Sequence, residues 1–176
     1  MFGTPTPGAD PLGPFEFAHT VDIGKPAGEV YPLLDWADPR NAKRALGNKI
    51  EHLDASPTRF RLWLDLVPGH CFEIVVTDQM PGRHYAFRSE IVPPMGRLVS
   101  SHETYRIEPL DEASCRLHLS ISATFAGGMS DQDFEMETTL MSIAGQNALA
   151  KLRVQAEQGP EAVHALEALQ MDCDED

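Results

Sequence analysis

The chain has 176 residues, 42% hydrophobic and 23% charged, which fits one globular domain able to bury a sizeable core or a core with a cavity. Its formal charge is −13, from 27 acidic against 14 basic residues. Such a surface repels phosphates, so a nucleic acid or an anionic membrane is disfavoured as partner, and the charge otherwise serves solubility.

Three cysteines, Cys71, Cys115 and Cys173, have no metal-ligand spacing. An odd, sparse count fits a reducing cytosol better than a disulfide framework. No basic stretch precedes an apolar run at the N-terminus, so no secretory leader is expected. No segment approaches 18 consecutive apolar residues, so no membrane insertion is expected. The histidines, His19, His52, His70, His84, His102, His118 and His164, form no HxxxH, HExxH or Cys/His cluster, so no metal is expected. His70 and Cys71 are neighbours, but adjacent strand residues face opposite ways and cannot act as nucleophile and base. No GxSxG, GxGxxG or GxxxxGK[ST] is present.

Residues 1–14, "MFGTPTPGADPLGP", hold four prolines and three glycines and read as a flexible tail. From Phe15 the apolar parity of Phe15, Phe17, His19, Val21 and Ile23 marks a half-buried strand. The period then changes. Two short helices are predicted, about Ala27–Trp36 and Pro39–Leu46, chopped by Pro26, Pro32 and Pro39. Six strands follow: about Lys49–Leu53, Arg59–Leu66, Cys71–Met80, His84–Val92, Leu98–Glu108 and Ser114–Phe125. "DASPT", "VPGH", "MPGR", "VPPMG" and "PLDEA" separate them, and such short connections imply an antiparallel meander. One parity of each strand is apolar, as in Phe60, Leu62, Leu64 and Leu66 or Phe72, Ile74 and Val76. The other carries Arg59, Arg61, Asp65, Glu73 and Arg116, so one face packs and one meets water. Trp63 belongs to the charged parity and is expected outside or at a rim.

A lid must cover the packed face. Ser130 with Asp133 is a variant capping box, and Gly159–Pro160 is a stop, which predicts a helix from about 131 to 158. Its apolar arc includes Phe134, Leu140, Met141, Ile143, Ala144, Ala148, Leu149 and Leu152, with Ala144, Gly145 and Ala148 at its centre. Small residues there mean either close helix–sheet packing or space beneath the helix. Residues 160–176 add a short helical extension and an acidic end.

This order of strand, two short helices, six-strand meander and long C-terminal helix resembles the helix-grip fold of the SRPBCC superfamily, which includes START lipid-transfer domains, Bet v 1-like proteins and polyketide cyclases. "HTVDIGKPAGEVYPLLDWADP", "MPGRHYAF" and "SSHETYRIEPLDEASCRLHLSISATF" are similar to the family's opening strand and first helix, its Pro-Gly turn into a central strand, and its last strand pair. The resemblance covers about residues 15–158. It implies an α+β fold in which a curved antiparallel seven-stranded sheet grips the long helix around an apolar cavity, with a domain over residues 15–159. The family has no universal catalytic motif, and no cofactor is implied.

The informative residues are polar groups on apolar faces: His19, Tyr85, Ser89 and Glu103, with Phe87 and Tyr105 beside them. With Met141, Ala144, Gly145 and Ala148 they are the expected ligand-binding lining. Each also has a plain structural reading: a core histidine, tyrosines whose hydroxyls reach a partner, a glutamate slipped by one residue of register. Three functions stay open. One is binding of a small hydrophobic or amphipathic molecule such as a lipid, polyketide or aromatic compound. The second is a cofactor-independent cyclase, aromatase or dehydratase using cavity acid–base groups. The third is an interaction protein, which would need an exposed apolar patch. Oligomeric state and ligand identity are not legible.

Overall fold

The computed structural model describes residues 9–53, 56–65 and 67–173, and side chains as far as residue 169. Most of the flexible-tail segment, Asp54 and Ala55 of the "DASPT" turn, Leu66 and the acidic end after residue 173 lie outside the described residues.

Seven strands form one antiparallel sheet: β1 (Leu12–Ile23), β2 (Lys49–His52), β3 (Arg59–Trp63), β4 (Cys71–Met80), β5 (His84–Val92), β6 (Leu98–Pro109) and β7 (Cys115–Phe125). The spatial order is β1-β7-β6-β5-β4-β3-β2, so the meander from β2 to β7 is closed at one edge by β1. Two short helices follow β1, α1 (Ala27–Leu34) and α2 (Ala42–Ala45). The long helix α3 (Asp131–Gln158) comes after β7, and α4 (Pro160–Cys173) folds back on it. This is the expected α+β helix-grip arrangement. β1 begins at Leu12, inside the segment read as tail, and pairs there with Phe125 before a register shift at Phe15.

The differences at element ends have local causes. The Asn41 carboxamide accepts from the Lys43 and Arg44 backbone N–H groups at 3.0 and 3.3 Å, so α2 starts three residues later than its prolines implied. β3 stops at Trp63 because the Leu64 carbonyl accepts from the Val67 N–H at 3.0 Å and the chain turns. α3 begins where the capping residue said: Ser130 Oγ accepts from the Asp133 N–H at 3.2 Å.

Strand parity holds. Phe60, Leu62, Ile74, Val76, Tyr85, Phe87, Tyr105, Ile107, Leu117, Leu119 and Ile121 are buried on the inner face. Trp63 lies on the outer face, where Lys49 Nζ sits 4.4 Å from its ring centroid. The buried face of α3 runs through Gly145, Leu149, Leu152 and Gln155. The helix lies mainly against β1 and β7 at one side of the sheet. A Cβ on Gly145 would come 2.8 Å from Ile121 Cδ1 and 3.2 Å from His19 Cδ2. The glycine therefore brings helix and sheet together, which decides between the two readings of the small residues. Ala144 and Ala148 are exposed, off the contact line, and do not lie beneath the helix.

Candidate functional site

Because α3 rests on β1 and β7, the inner face of β4, β5 and β6 is not fully covered. Phe72, Ser89, Ile91 and Glu103 face inward yet keep accessible surface. The far end of this half is closed by α1 and the turn after it, through Tyr31 edge-on to Tyr85 at 5.8 Å and Trp36 edge-on to Phe87 at 5.3 Å. The gap between α3 and α2 is bridged by Gln155, whose Nε2 donates to the Ala42 carbonyl at 3.1 Å. What remains is a partly accessible stretch of inner face on β4, β5 and β6, a recess defined by these half-buried side chains.

Glu103 stands on that floor. Register places it between Phe87 of β5 and Ile121 of β7, both inward-facing, so the carboxyl is on the dry face. The Tyr105 hydroxyl donates to Glu103 Oε2 at 2.9 Å. Burial raises the Glu103 carboxyl above its usual value, with the Tyr105 hydrogen bond and the Lys43 charge pulling it back. Burial, then the neighbouring Glu103, pushes the Tyr105 phenol well above its usual value. The Tyr105 and Phe87 rings are near-parallel, with centroids 6.2 Å apart. The expectation that Glu103 would have a hydroxyl within reach is met, and the charge is partly matched from an unforeseen direction.

That direction is α2. Lys43 feels the Glu103 and Glu167 carboxylates and the Lys151 ammonium, so side chains of α2, β6, α3 and α4 share one neighbourhood. Desolvation is the largest influence on Lys43 and lowers its pKa, although its side chain still reaches water. Protein crowds it on most sides without covering it, as at the rim of a recess. Lys151 donates to Glu167 Oε1 at 2.7 Å, which ties α4 to α3. Lys25 and Lys49 are paired with Glu29 and Glu51, whereas no carboxylate among the described residues lies within salt-bridge reach of Lys43.

The other expected lining residues divide. Ser89 Oγ and Ser101 Oγ are hydrogen-bonded at 2.9 Å one row beyond Glu103. Met141 is half-buried on the recess side of α3. Tyr85 is 1% exposed and its hydroxyl is engaged: it accepts from the Trp36 backbone N–H at 3.1 Å and donates to Asp35 Oδ1 at 3.3 Å. Tyr85 pins the end of α1 and offers nothing to a ligand. Tyr85→Phe should cost about 1–3 kcal/mol by orphaning the Trp36 N–H, read by chemical denaturation, and leave the recess unchanged. His19 lies under Gly145, with Nε2 3.4 Å from Ser142 Oγ. It stands on β1, two strands from Glu103, or roughly 10 Å at the usual strand spacing. His19, Tyr85, Glu103 and Tyr105 are thus not gathered into one cluster; of the four, Glu103 and Tyr105 are hydrogen-bonded to each other.

Sequence reasoning missed Lys43 and Trp36. Trp36 is 6% exposed and its indole Nε1 has no hydrogen-bond partner among the described residues. Two shallow depressions of about 370 Å³ each occur on the opposite, outer face, sharing Ala18, Thr104 and Ser120. Thr20, His84, Arg106 and His118 line the first together with Ala18 and Leu119. No group of three or more His, Cys, Asp or Glu among the described residues is placed to hold a metal. No helix among them is long and apolar enough to cross a membrane.

No family model matches the sequence, and no curated protein matches it. Solved structures do match. A conserved protein from Geobacillus kaustophilus superposes with a TM-score of 0.60 at 16% identity, covering 81% of this chain and 95% of that one. The Zhui aromatase/cyclase from a Streptomyces species gives 0.55 at 19% identity, covering 82% and 96%. A protein from Rhizobium loti gives 0.55 at 14% identity, covering 77% and 96%. Identities this low establish the shared helix-grip fold and nothing finer.

Proposed function

We propose that this helix-grip protein binds a small amphipathic molecule in the recess over β4–β6. Its apolar body would lie on Phe72, Phe87 and Ile91, and its polar head would meet Glu103, Tyr105 and Lys43. The observation that carries this reading is Glu103 itself: a carboxyl on the dry face, held by a tyrosine hydroxyl, beside surface that the lid helix leaves uncovered. A buried carboxyl costs stability, and a site that keeps one generally uses it. Lys43 adds a preference for a head that is acidic or rich in acceptors.

A second reading rests on the same pair. A carboxyl with a raised pKa and a phenol in contact can exchange a proton with a bound carbonyl compound, which is the chemistry of an aromatase, cyclase or dehydratase. The fold shared with an aromatase/cyclase makes this the natural alternative, with Glu103 as the group that moves the proton. Binding is the prior question in both cases.

Anilinonaphthalene sulfonate, an anionic amphiphile, probes it. Saturable fluorescence with one site is expected, and Lys43→Ala should weaken it by roughly tenfold, the scale of one charge-assisted contact. Absence of saturable binding, or equal binding by Lys43→Ala and by a Phe87→Ser variant that remains folded, would overturn the proposal. Native mass spectrometry of the protein from its own host then identifies the resident molecule by mass.

A further inference from the structure

The outer face of α3 is unlike the rest of the surface. Met136, Leu140 and Ile143 are 43, 55 and 47% exposed, and their spacing of four and three residues places them on one stripe turned away from the sheet. Asn147 and Ala150, also exposed, continue the stripe. From Thr138 to Ala150 the chain has no charged residue, in a protein with a formal charge of −13. An exposed helical face with large side chains and no charge marks an interaction surface.

The charges at its two ends say what fits it. Asp131, Asp133, Glu135 and Glu137 occupy the first part of α3; the last holds Lys151, tied to Glu167, and Arg153 with Glu157. Glu135 and Arg153 are 18 residues apart, five turns at about 3.6 residues per turn, and so lie on the same flank of the stripe. A second copy of α3, laid antiparallel about a twofold axis beside Ile143 and Ala144, brings each Glu135 next to the other copy's Arg153. It also buries Ile143 near its equivalent and Leu140 beside the other copy's Asn147, and opposes the two helix dipoles favourably. Arg153 is free to turn: it is exposed, and its contacts to Glu157 are long, at 3.3 and 3.4 Å. Glu157 is held independently by the Gly24 N–H at 2.8 Å. An acidic partner would be repelled everywhere except along this stripe, and a basic partner would choose an acidic face. The stripe with a complementary charge at each end fits itself.

We propose that the protein forms an isologous dimer through antiparallel pairing of α3, centred near Ile143. The pairing leaves the recess, on the opposite side of the helix, open in both copies. One helix stripe per copy is a small interface, so a micromolar association is expected.

Sedimentation velocity over a concentration series into the hundreds of micromolar tests this. The expected result is a reversible shift from the 19.4 kDa monomer to a species of twice that mass. Ile143→Asp should raise the dissociation constant about a hundredfold or more, since each substitution is made twice across the axis. Its circular dichroism and melting should match the parent, because Ile143 supports no core contact. Glu135→Arg and Arg153→Glu should each weaken the dimer, and the double reversal should restore it. A protein monomeric at every concentration would overturn the proposal. So would a dimer indifferent to Ile143→Asp, or single reversals that the double variant does not rescue.

Discussion

Gly145→Leu is expected to destabilise the fold by about 3 kcal/mol or more, a drop in melting temperature of roughly 10 °C for a chain of this size. The glycine sits where α3 comes closest to the sheet. Its missing Cβ would already stand 2.8 Å from the Ile121 methyl and 3.2 Å from the His19 ring. Ile121 is 5% exposed and packed among buried neighbours, so further carbons have nowhere to go. Gly145→Ala separates sterics from backbone effects. Its single methyl meets the far end of the Ile121 side chain, which can turn, and a helical alanine gains about 1 kcal/mol over glycine. The alanine variant should therefore melt within a few degrees of the parent. The contrast measures whether a cavity lies under the middle of α3. A leucine variant as stable as the parent would mean that space exists there after all.

Sequence periodicity located α3 but centred its buried arc one position early, and the reason is visible in the side chains. Leu140 and Ile143 drew the arc toward Ala144 and Ala148, yet both point to solvent, and the true contact line is Gly145, Leu149 and Leu152. A hydrophobic pattern reports burial in whatever assembly a helix experiences, and α3 carries two apolar faces. Strand parity was more reliable because a period of two leaves no intermediate angles: Glu103, Phe87 and Trp63 all face the way their neighbours implied. Hydrogen-bond destinations were less legible. Nothing local shows that the Tyr85 hydroxyl is taken by Trp36 and Asp35, since those residues lie about fifty positions away in sequence. Lys43 was invisible for the same reason. It sits on a helix of four residues, too short to show a face, and is brought near Glu103 only through the packing of α2 against Gln155.

Glu103→Gln is expected to raise stability at neutral and alkaline pH and to lose that advantage in acid. Burial holds the Glu103 carboxyl above its ordinary value of 4.5, against the opposing pull of Tyr105 and Lys43. The folded chain therefore binds this proton more tightly than the unfolded chain does. Stability from a carboxyl raised in this way is fully present below the unfolded value and is lost as pH rises through the folded one. Glutamine keeps the shape and the Tyr105 hydrogen bond but cannot ionise. Its melting temperature should run parallel to the parent's in acid and exceed it above the carboxylate range by a few degrees, the scale of about 1 kcal/mol in a chain of this size. Tyr105→Phe removes one of the two influences that favour the carboxylate, so the parent's pH dependence should move to still higher pH. The same substitutions read the site. An anionic amphiphile meets a negative Glu103 above the folded pKa and a neutral one below it. Glu103→Gln should strengthen that binding near pH 8 and leave it unchanged in acid, whereas Lys43→Ala should weaken it while the lysine is charged. Should the glutamine variant bind the probe identically at both pH values, the recess over β4–β6 is not where the ligand's head lies.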